Sequence, residues 1–238
     1  YNEYQIRKDE PVNARYYYRT NGLVNLDKSN MPSYQPEAYQ KPGCPIIVDL
    51  NGDGLITVED VDMKNVIPSL YWGFGNTFTY KNWDLDVFIY SQLGVDKYND
   101  VYSWTSGRGL GNQTNNMSVY IKDVWHSELN PNGTIPGIAY EMASVSLPGG
   151  AGTDIGYENS SFVRVRNITL GYNFKPNQLG ALSKLLSGIR VYVDVQNPFT
   201  FTGYTGLDPE VNTGGNYKGG KAEYPQTRTF SLGAKLSF

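Results

Sequence analysis

Cysteine and histidine are nearly missing from this chain: Cys44 and His126 are the single members of their kinds among 238 residues. A lone cysteine excludes an intrachain disulfide framework. A lone histidine leaves at most one candidate base, so histidine-rich metal sites and Ser-His-Asp arrangements lack partners. His126, flanked by Trp125 and close to Glu128, reads as a loop residue. Long apolar runs are missing too. The longest, around Cys44-Pro45-Ile46-Ile47-Val48, falls far short of the roughly 20 residues a membrane helix needs. Strands are untouched by that argument, because membrane-barrel strands alternate apolar and polar residues and their average hydropathy stays low. The net charge is a mild −3 with no cluster of Lys and Arg, which excludes a nucleic-acid footprint. Gly149-Gly150-Ala151-Gly152 precedes no helix bearing Lys and Thr, so it is no phosphate cradle. No catalytic constellation remains, and the chain reads as a non-enzyme.

What is abundant is aromatic: 20 Tyr, 9 Phe and 4 Trp, with 26 Gly and 13 Pro to punctuate turns, a composition that favours strands. Period-two alternation follows. From Tyr71 to Tyr80 one face carries Trp72, Phe74, Asn76, Phe78 and Tyr80, and the other Tyr71, Gly73, Gly75, Thr77 and Thr79. Lys81-Asn82 is a tight turn into a second strand, where Trp83, Leu85, Val87 and Ile89 alternate with Asp84, Asp86, Phe88 and Tyr90. Paired carboxylates at Asp84 and Asp86 suit a polar lumen wall better than acid–base work. Phe162 to Phe174 is a third strand, and Ile189, Val191, Val193 and Val195 mark a fourth. Phe230, Leu232, Ala234, Leu236 and Phe238 mark a fifth. Residues Leu179 to Leu186 have helical spacing and predict a turn or two of helix. Two weaker strands are expected near Glu3–Lys8 and Ala14–Arg19.

These strands suit a tilted bilayer crossing of about 9–11 residues. Short connections at Lys81-Asn82 and 175–187 alternate with long ones rich in Gly, Asn, Pro and Ser, as in outer-membrane barrels. Seven or so strands cannot close a lumen, and an open edge cannot sit in lipid. The rest of the barrel is therefore expected from chain outside these 238 residues. The start at Tyr1 without Met, charged n-region or apolar h-region fits a segment that begins inside a domain, or a mature protein after signal cleavage.

One motif carries chemistry. Asp49-Leu50-Asn51-Gly52-Asp53-Gly54, continuing to Asp60, matches a calcium loop. Asp49, Asn51 and Asp53 offer oxygens at the first, third and fifth places, and Gly54 permits the sharp turn. Leu55 would give a carbonyl, Thr57 a direct or water-mediated contact, and Asp60 the closing carboxylate. A metal-free Asx-rich turn is the other reading. The aromatics Tyr102, Trp104, Tyr120 and Trp125 could form a sugar-stacking platform or could pack their long loop against itself. Gly233, Leu236 and Phe238 in the last strand look like an outer-membrane assembly signal.

Together these stretches resemble the C-terminal third to quarter of SusC/RagA-like TonB-dependent transporters. The resemblance runs through Asp49–Gly54, Tyr71-Trp72-Gly73-Phe74-Gly75-Asn76, more loosely Asp123-Val124-Trp125 with Asn130-Pro131 shortly after, and Ser160 to Tyr172. It is strongest in Gln196-Asn197-Pro198-Phe199-Thr200-Phe201-Thr202, Gly206-Leu207-Asp208-Pro209-Glu210-Val211 and Tyr224-Pro225-Gln226-Thr227-Arg228-Thr229-Phe230. It implies an all-β fold of antiparallel strands, part of a 22-stranded transmembrane β-barrel of the cell outer membrane. Residues 1–238 would be the C-terminal portion, with an extracellular insertion at 49–60 and long extracellular loops at 94–161 and 200–226. It implies import of oligosaccharides or peptides with a SusD-like surface lipoprotein. TonB would act through the absent N-terminal part, with the barrel-assembly machinery and outer-membrane lipid as further partners. A secreted, calcium-stabilised carbohydrate-binding β module is the competing class. The outward strand faces discriminate the two.

Overall fold

The structure is a computed structural model that describes residues 8–10, 14–99, 102, 117–137, 147–148, 151–211 and 224–238. Its strands are β1 (Arg15–Tyr18), β2 (Thr20–Leu23), β3 (Pro45–Ile47), β4 (Val61–Lys64), β5 (Leu70–Tyr80), β6 (Trp83–Leu93), β7 (Asp96–Tyr98), β8 (Tyr157–Asn159), β9 (Phe162–Phe174), β10 (Gly188–Thr202) and β11 (Thr229–Ser237). The fold is all-β, and every strand pair in its sheets is antiparallel. The five long strands form one sheet in the order β11-β10-β9-β6-β5, with β5 and β11 as its edges among the described residues.

Alternation gives this sheet two unlike faces. The register aligns Phe78, Leu85, Leu170, Val193 and Leu232 in one apolar row across all five strands. One residue along, Thr79, Asp84, Gly171, Tyr192 and Gly233 form a row on the other face. One residue to the other side of the apolar row, on that same second face, lie Thr77, Asp86, Thr169, Asp194 and Ser231. The apolar row stays open: Phe78 is 57% exposed and Leu232 79%. In a water-soluble sheet such a face would be covered by a second layer, since a sheet buries its apolar face against another element. No described element covers it.

The strand reading from alternation holds for all five, with one extension. β10 does not stop at Gln196 but runs on to Thr202 through a bulge, where the register with β9 shifts between Gln196 and Phe199. Pro198 sits within this strand although proline donates nothing to a ladder. The bulge accommodates it: Asn197 takes a positive φ of 49° beside it. A second shift, between Phe88 and Ile89, leaves Arg166 of β9 without a partner on β6. The helical spacing at Leu179–Leu186 yields only 3₁₀ turns, Pro176–Gln178 and Gly180–Lys184. Gly180, at φ 54°, interrupts any longer helix.

The short connections, Lys81-Asn82 and 175–187, lie at one end of the sheet, and the long ones leave from the other. There the chain builds a compact body of its own. β1 pairs with β4 and β2 with β3, around a core of Ala14, Tyr16, Tyr18, Tyr39, Cys44, Ile47, Val61, Leu147 and Ala151. The expected strand at Ala14–Arg19 is thus β1, a member of this body and not of the large sheet. The expected strand at Glu3–Lys8 falls outside the described residues, Lys8 excepted.

Candidate functional site: the loop end of the sheet

Loop residues reach back to the sheet through two arginines of β9. Arg164, 1% exposed, donates from Nε to Thr200 Oγ1 at 2.9 Å and from Nη2 to Asp208 Oδ1 at 2.9 Å, and its Nη1 pairs with Glu210. Arg166 Nη1 donates to both Glu210 carboxylate oxygens at 2.9 Å. Asp208 also accepts from the amides of Glu210 at 2.8 Å and Gln226 at 2.9 Å. It therefore ties the outgoing and returning arms of the β10–β11 connection to one buried guanidinium. Burial acts to raise the Asp208 pKa, but the Glu210 amide, Arg164 and the Gln226 amide outweigh it and hold the carboxyl below the usual range. Lys97 of β7 adds bonds to the carbonyls of Pro209 and Val211 at 2.5 and 2.6 Å. Sequence reasoning placed Gly206–Val211 within a resemblance but did not see this latch. Its acids lie more than 40 positions from Arg164, and only the fold joins them.

A cavity of about 480 Å³ opens beside these arms, lined among others by Thr20, Tyr102, Tyr120, Thr134, Tyr157 and Thr205. That size is ordinary for a ligand site. The Tyr102 and Tyr120 rings meet edge to face at 5.5 Å. The cavity's two carboxylates are already engaged: Glu158 accepts from the Thr205 amide at 2.8 Å and from Asn99 at 2.8 Å, and Asp154 accepts from Thr20 Oγ1 at 2.7 Å. The wall thus offers hydroxyls and ring surfaces more than bare charge. Trp125 serves a different purpose. A Cβ placed on Gly43 would sit 2.3 Å from the Trp125 ring, and one on Gly133 2.5 Å from the Trp125 backbone nitrogen, so this residue packs its loop against the β2–β3 connection and against itself. Trp104 lies outside the described residues. His126 is exposed and accepts the Glu128 and Leu129 amides on Nδ1 at 3.2 and 3.1 Å, as a loop residue does.

The calcium-loop residues fold into a self-bonded turn. Asp49 accepts the Gly52 amide at 2.7 Å and the Gly54 amide at 2.8 Å; both glycines take positive φ. Asn51 accepts from Asp53 N at 2.9 Å, and Asp53 accepts from Leu55 N at 2.8 Å. Asp60 is fully buried and gathers the amides of Leu50, Asn51 and Thr57 at 2.9, 3.3 and 2.7 Å, with the Thr57 hydroxyl at 3.3 Å. Those donors outweigh burial and hold its carboxyl below the usual range. Asn51 and Asp53 remain exposed and Asp49 half-buried, so their oxygens fit a cation approaching from outside. Asp60 fits less well: its oxygens, like those of Asp49, already serve the loop, and it is in addition fully buried. Among the described residues, no group of three His, Cys, Asp or Glu side chains is gathered to hold a metal ion.

The three residues of the assembly-signal pattern are placed differently. Gly233 lies opposite Tyr192, whose ring would be 2.4 Å from any Cβ there. Leu236 and Phe238 are 50% and 89% exposed.

An open antiparallel sheet with one bare apolar face, one polar face and all its long loops at one end defines a section of an outer-membrane β-barrel. Known proteins agree. The chain is 28% identical over 98% of its length to TonB-dependent receptor P3 of Formosa agariphila, spanning 23% of that protein. It is 33% identical over 85% of its length to TonB-dependent receptor SusC of Bacteroides thetaiotaomicron, spanning 19% of it. No family model matches. Among solved structures, the RagAB peptide transporter superposes on 95% of the chain with a TM-score of 0.65 at 24% identity, over 22% of the matched chain, which speaks for the fold. The chain belongs to the SusC/RagA-like TonB-dependent receptors, of which it spans about a fifth to a quarter, and its place is the outer membrane.

Proposed function

We propose that this chain forms part of the wall and outer loops of a transporter that imports oligosaccharides or peptides across the outer membrane. A SusD-like lipoprotein closes over the loop end, and TonB supplies energy through a part of the receptor beyond this chain. The observation that carries the reading is the two-faced sheet. Its apolar face suits lipid and its polar face a wet lumen, and the long loops at one end suit the extracellular side. The cavity beside Tyr102 and Tyr120 is the candidate substrate contact. Its rings and hydroxyls suit stacking on sugar or peptide groups. The test is uptake of a labelled oligosaccharide and a labelled peptide by cells carrying the complete receptor with Tyr120→Ala or Thr205→Val. Slower uptake of one cargo at unchanged receptor level supports the reading; unchanged uptake of both removes the cavity from it.

We also propose that Asp49, Asn51 and Asp53, with the Leu55 carbonyl and Thr57, take a calcium ion at the surface of the loop body. Asp60 shapes the loop from within. Support comes from the spacing of the oxygens and from the exposure of Asn51 and Asp53. The soluble-module reading would need a layer over the apolar face, and the described residues supply none.

A further inference from the structure

At the short-turn end, charge and apolar surface coincide in a way that the transport reading does not use. We propose that this rim binds an anionic phospholipid of the periplasmic leaflet, with Lys81, Lys175 and Lys184 on the headgroup and Leu182 and Leu185 among the acyl chains. The inference rests on the orientation proposed above, in which short turns are periplasmic.

Three observations support it. The first is where the connection 175–187 sits. Gln178 Nε2 donates to the Tyr172 hydroxyl at 3.2 Å, and Asn82 Nδ2 donates to Gln178 Oε1 at 2.8 Å. Tyr172 pairs with Trp83 and Val191 in a row on the apolar face. The connection is therefore hooked to the side of the sheet that meets lipid. The second is its apolar surface. Leu182 and Leu185 are 52% and 74% exposed, although the connection around them is tied to the sheet through Gln178 and Ser187. A pair of leucines left in water at the edge of a lipid-facing surface continues that surface into the headgroup zone, where amphipathic segments lie with their apolar side inward. The third is charge. Lys81, Lys175 and Lys184 are all exposed, and none forms a salt bridge among the described residues. Residues 80–82 and 175–187 contain no Asp or Glu. The turns that carry Lys81 and Lys175 touch through the Asn82–Gln178 bond, so these two cations belong to adjoining turns of one rim. Such unopposed cations beside apolar side chains suit a phosphate headgroup more than a protein surface of mixed charge.

The test uses the complete receptor in nanodiscs of equal parts phosphatidylglycerol and phosphatidylcholine. It is then released into detergent, and the lipids retained are counted by mass spectrometry. The receptor should retain phosphatidylglycerol in preference to phosphatidylcholine. The variant K81N/K175Q/K184Q should lose that preference, by about fivefold per lysine removed; asparagine is chosen at position 81 because it tolerates the positive φ there. K175R/K184R should keep the preference, and L182S/L185S should lower retention of both lipids. Equal retention of the two lipids by the unaltered receptor, or an unchanged preference in the lysine variant, overturns the proposal. A failure of the orientation has its own signature: Ser183→Cys would then react with an impermeant thiol reagent on intact cells. Lipid counts that fail while Ser183→Cys stays shielded overturn only the lipid site.

Discussion

The Arg190 guanidinium meets the Asp84 carboxylate across an intervening strand. Arg190 lies on β10 and Asp84 on β6, and the ion pair passes over Gly171 of β9. Arg190 Nε sits 3.2 Å from both Asp84 oxygens, and Asn173 of β9 adds a bond to the same carboxylate. A Cβ on Gly171 would stand 2.6 Å from Asp84 Oδ2 and 2.7 Å from Arg190 Nε, so no larger residue leaves the path open. The polar face is thus stitched over three strands by one contact.

Gly171→Val should break that stitch with little change to the apolar face. The expected loss is about 1.5–3 kcal/mol, the range for hydrogen bonds to charged groups. The measure is the temperature at which the complete receptor loses its heat-modifiable mobility on gels. Gly171→Val combined with Arg190→Ala and Asp84→Ala should lose less than the separate changes add up to, because the clash and the pair share one cause. Additive losses would mean that the glycine matters for another reason.

Gly233 allows the assembly signal to be separated from packing. Its Cβ would strike the Tyr192 ring, so Gly233→Ala should lower folded yield. If packing is the reason, Tyr192→Ala should restore the yield of Gly233→Ala. A Gly233→Ala receptor that stays unassembled in the Tyr192→Ala background would instead mark recognition by the assembly machinery.

The large sheet was legible in the sequence because lipid-type strands write their environment into period two. Ile189 to Val195 and Phe230 to Phe238 alternate without a fault, and their registers follow. Legibility ended where the chain left that period. At Asn197-Pro198 a bulge mimics a strand end, since proline removes a donor and Asn197 turns left-handed. Residues 14–65 follow neither period, because their core is built from tyrosines on short strands and connections and buries both sides of β1. The latch was invisible for another reason: Arg164 looked like one more charge on a strand, while Asp208 and Glu210 looked like loop acids. Asp49 to Asp60 announced itself clearly as a calcium-type loop, yet the sequence could not show that Asp60 turns inward to the amides of Leu50, Asn51 and Thr57.

The latch should release in acid. The folded Asp208 pKa lies below its ordinary value, so its contribution is complete above the unfolded pKa and is lost as pH falls through the folded one. Hydrogen exchange of the Glu210 and Gln226 amides should therefore stay flat from neutral pH down to about pH 5, after correction for intrinsic rates, and rise below the usual aspartate range near 3.9. Arg164→Met should expose both amides at every pH, because it strands the Asp208 carboxylate while Glu210 keeps Arg166, with a loss on the order of 3–5 kcal/mol for a buried pair broken on one side. Protection that survives Arg164→Met would place the hold on the loop elsewhere, with Lys97 the next candidate.

The loop body should fail in alkali for a mirrored reason. Tyr18, buried in its core, holds its hydroxyl 2.9 Å from the carbonyls of Thr57 and Pro148, which share its one proton. Burial, then the nearby Asp60 carboxylate, push its pKa up to about 12. A raised folded pKa gives stability that is present below the unfolded value near 10 and is lost as pH climbs through the folded one. Tyrosinate absorbance of the receptor should show a late-titrating tyrosine that is absent in Tyr18→Phe. Proteolysis within residues 24–60 should accelerate between pH 10 and the titration of Tyr18.

The proposed calcium ion would act on the outside of the same body. Added calcium should slow proteolysis at 49–60 in the unaltered receptor, and Asp49→Ala or Asp53→Ala should abolish that effect. Asp60→Ala should make the loop labile with or without calcium, since it removes the acceptor for three amides. A calcium effect that survives both Asp49→Ala and Asp53→Ala would place the ion elsewhere.

The final prediction concerns the face that meets lipid. In β11, Phe230, Leu232, Ala234 and Leu236 share the face of Val195, Val193, Val191 and Ile189, their partners on β10, and Phe238 continues it past the end of the strand. Thr229, Ser231, Gly233, Lys235 and Ser237 share the face of Gln196, Asp194, Tyr192, Arg190 and Gly188. Strand side chains alternate, so one assignment fixes all the others. Turning the sheet over would put Lys235 and Arg190 in hydrocarbon, at about 2–4 kcal/mol each near the midplane and less toward the interface. It would also leave Leu232, 79% exposed, in a wet lumen. Leu232→Arg should therefore reduce heat-modifiable receptor in outer-membrane fractions far more than Ser231→Arg does. In Ser231→Arg the new guanidinium lies beside Asp194, its cross-strand partner, and stays in water. Equal tolerance at the two positions would mean that the apolar face is covered by protein, and would favour the soluble-module reading instead.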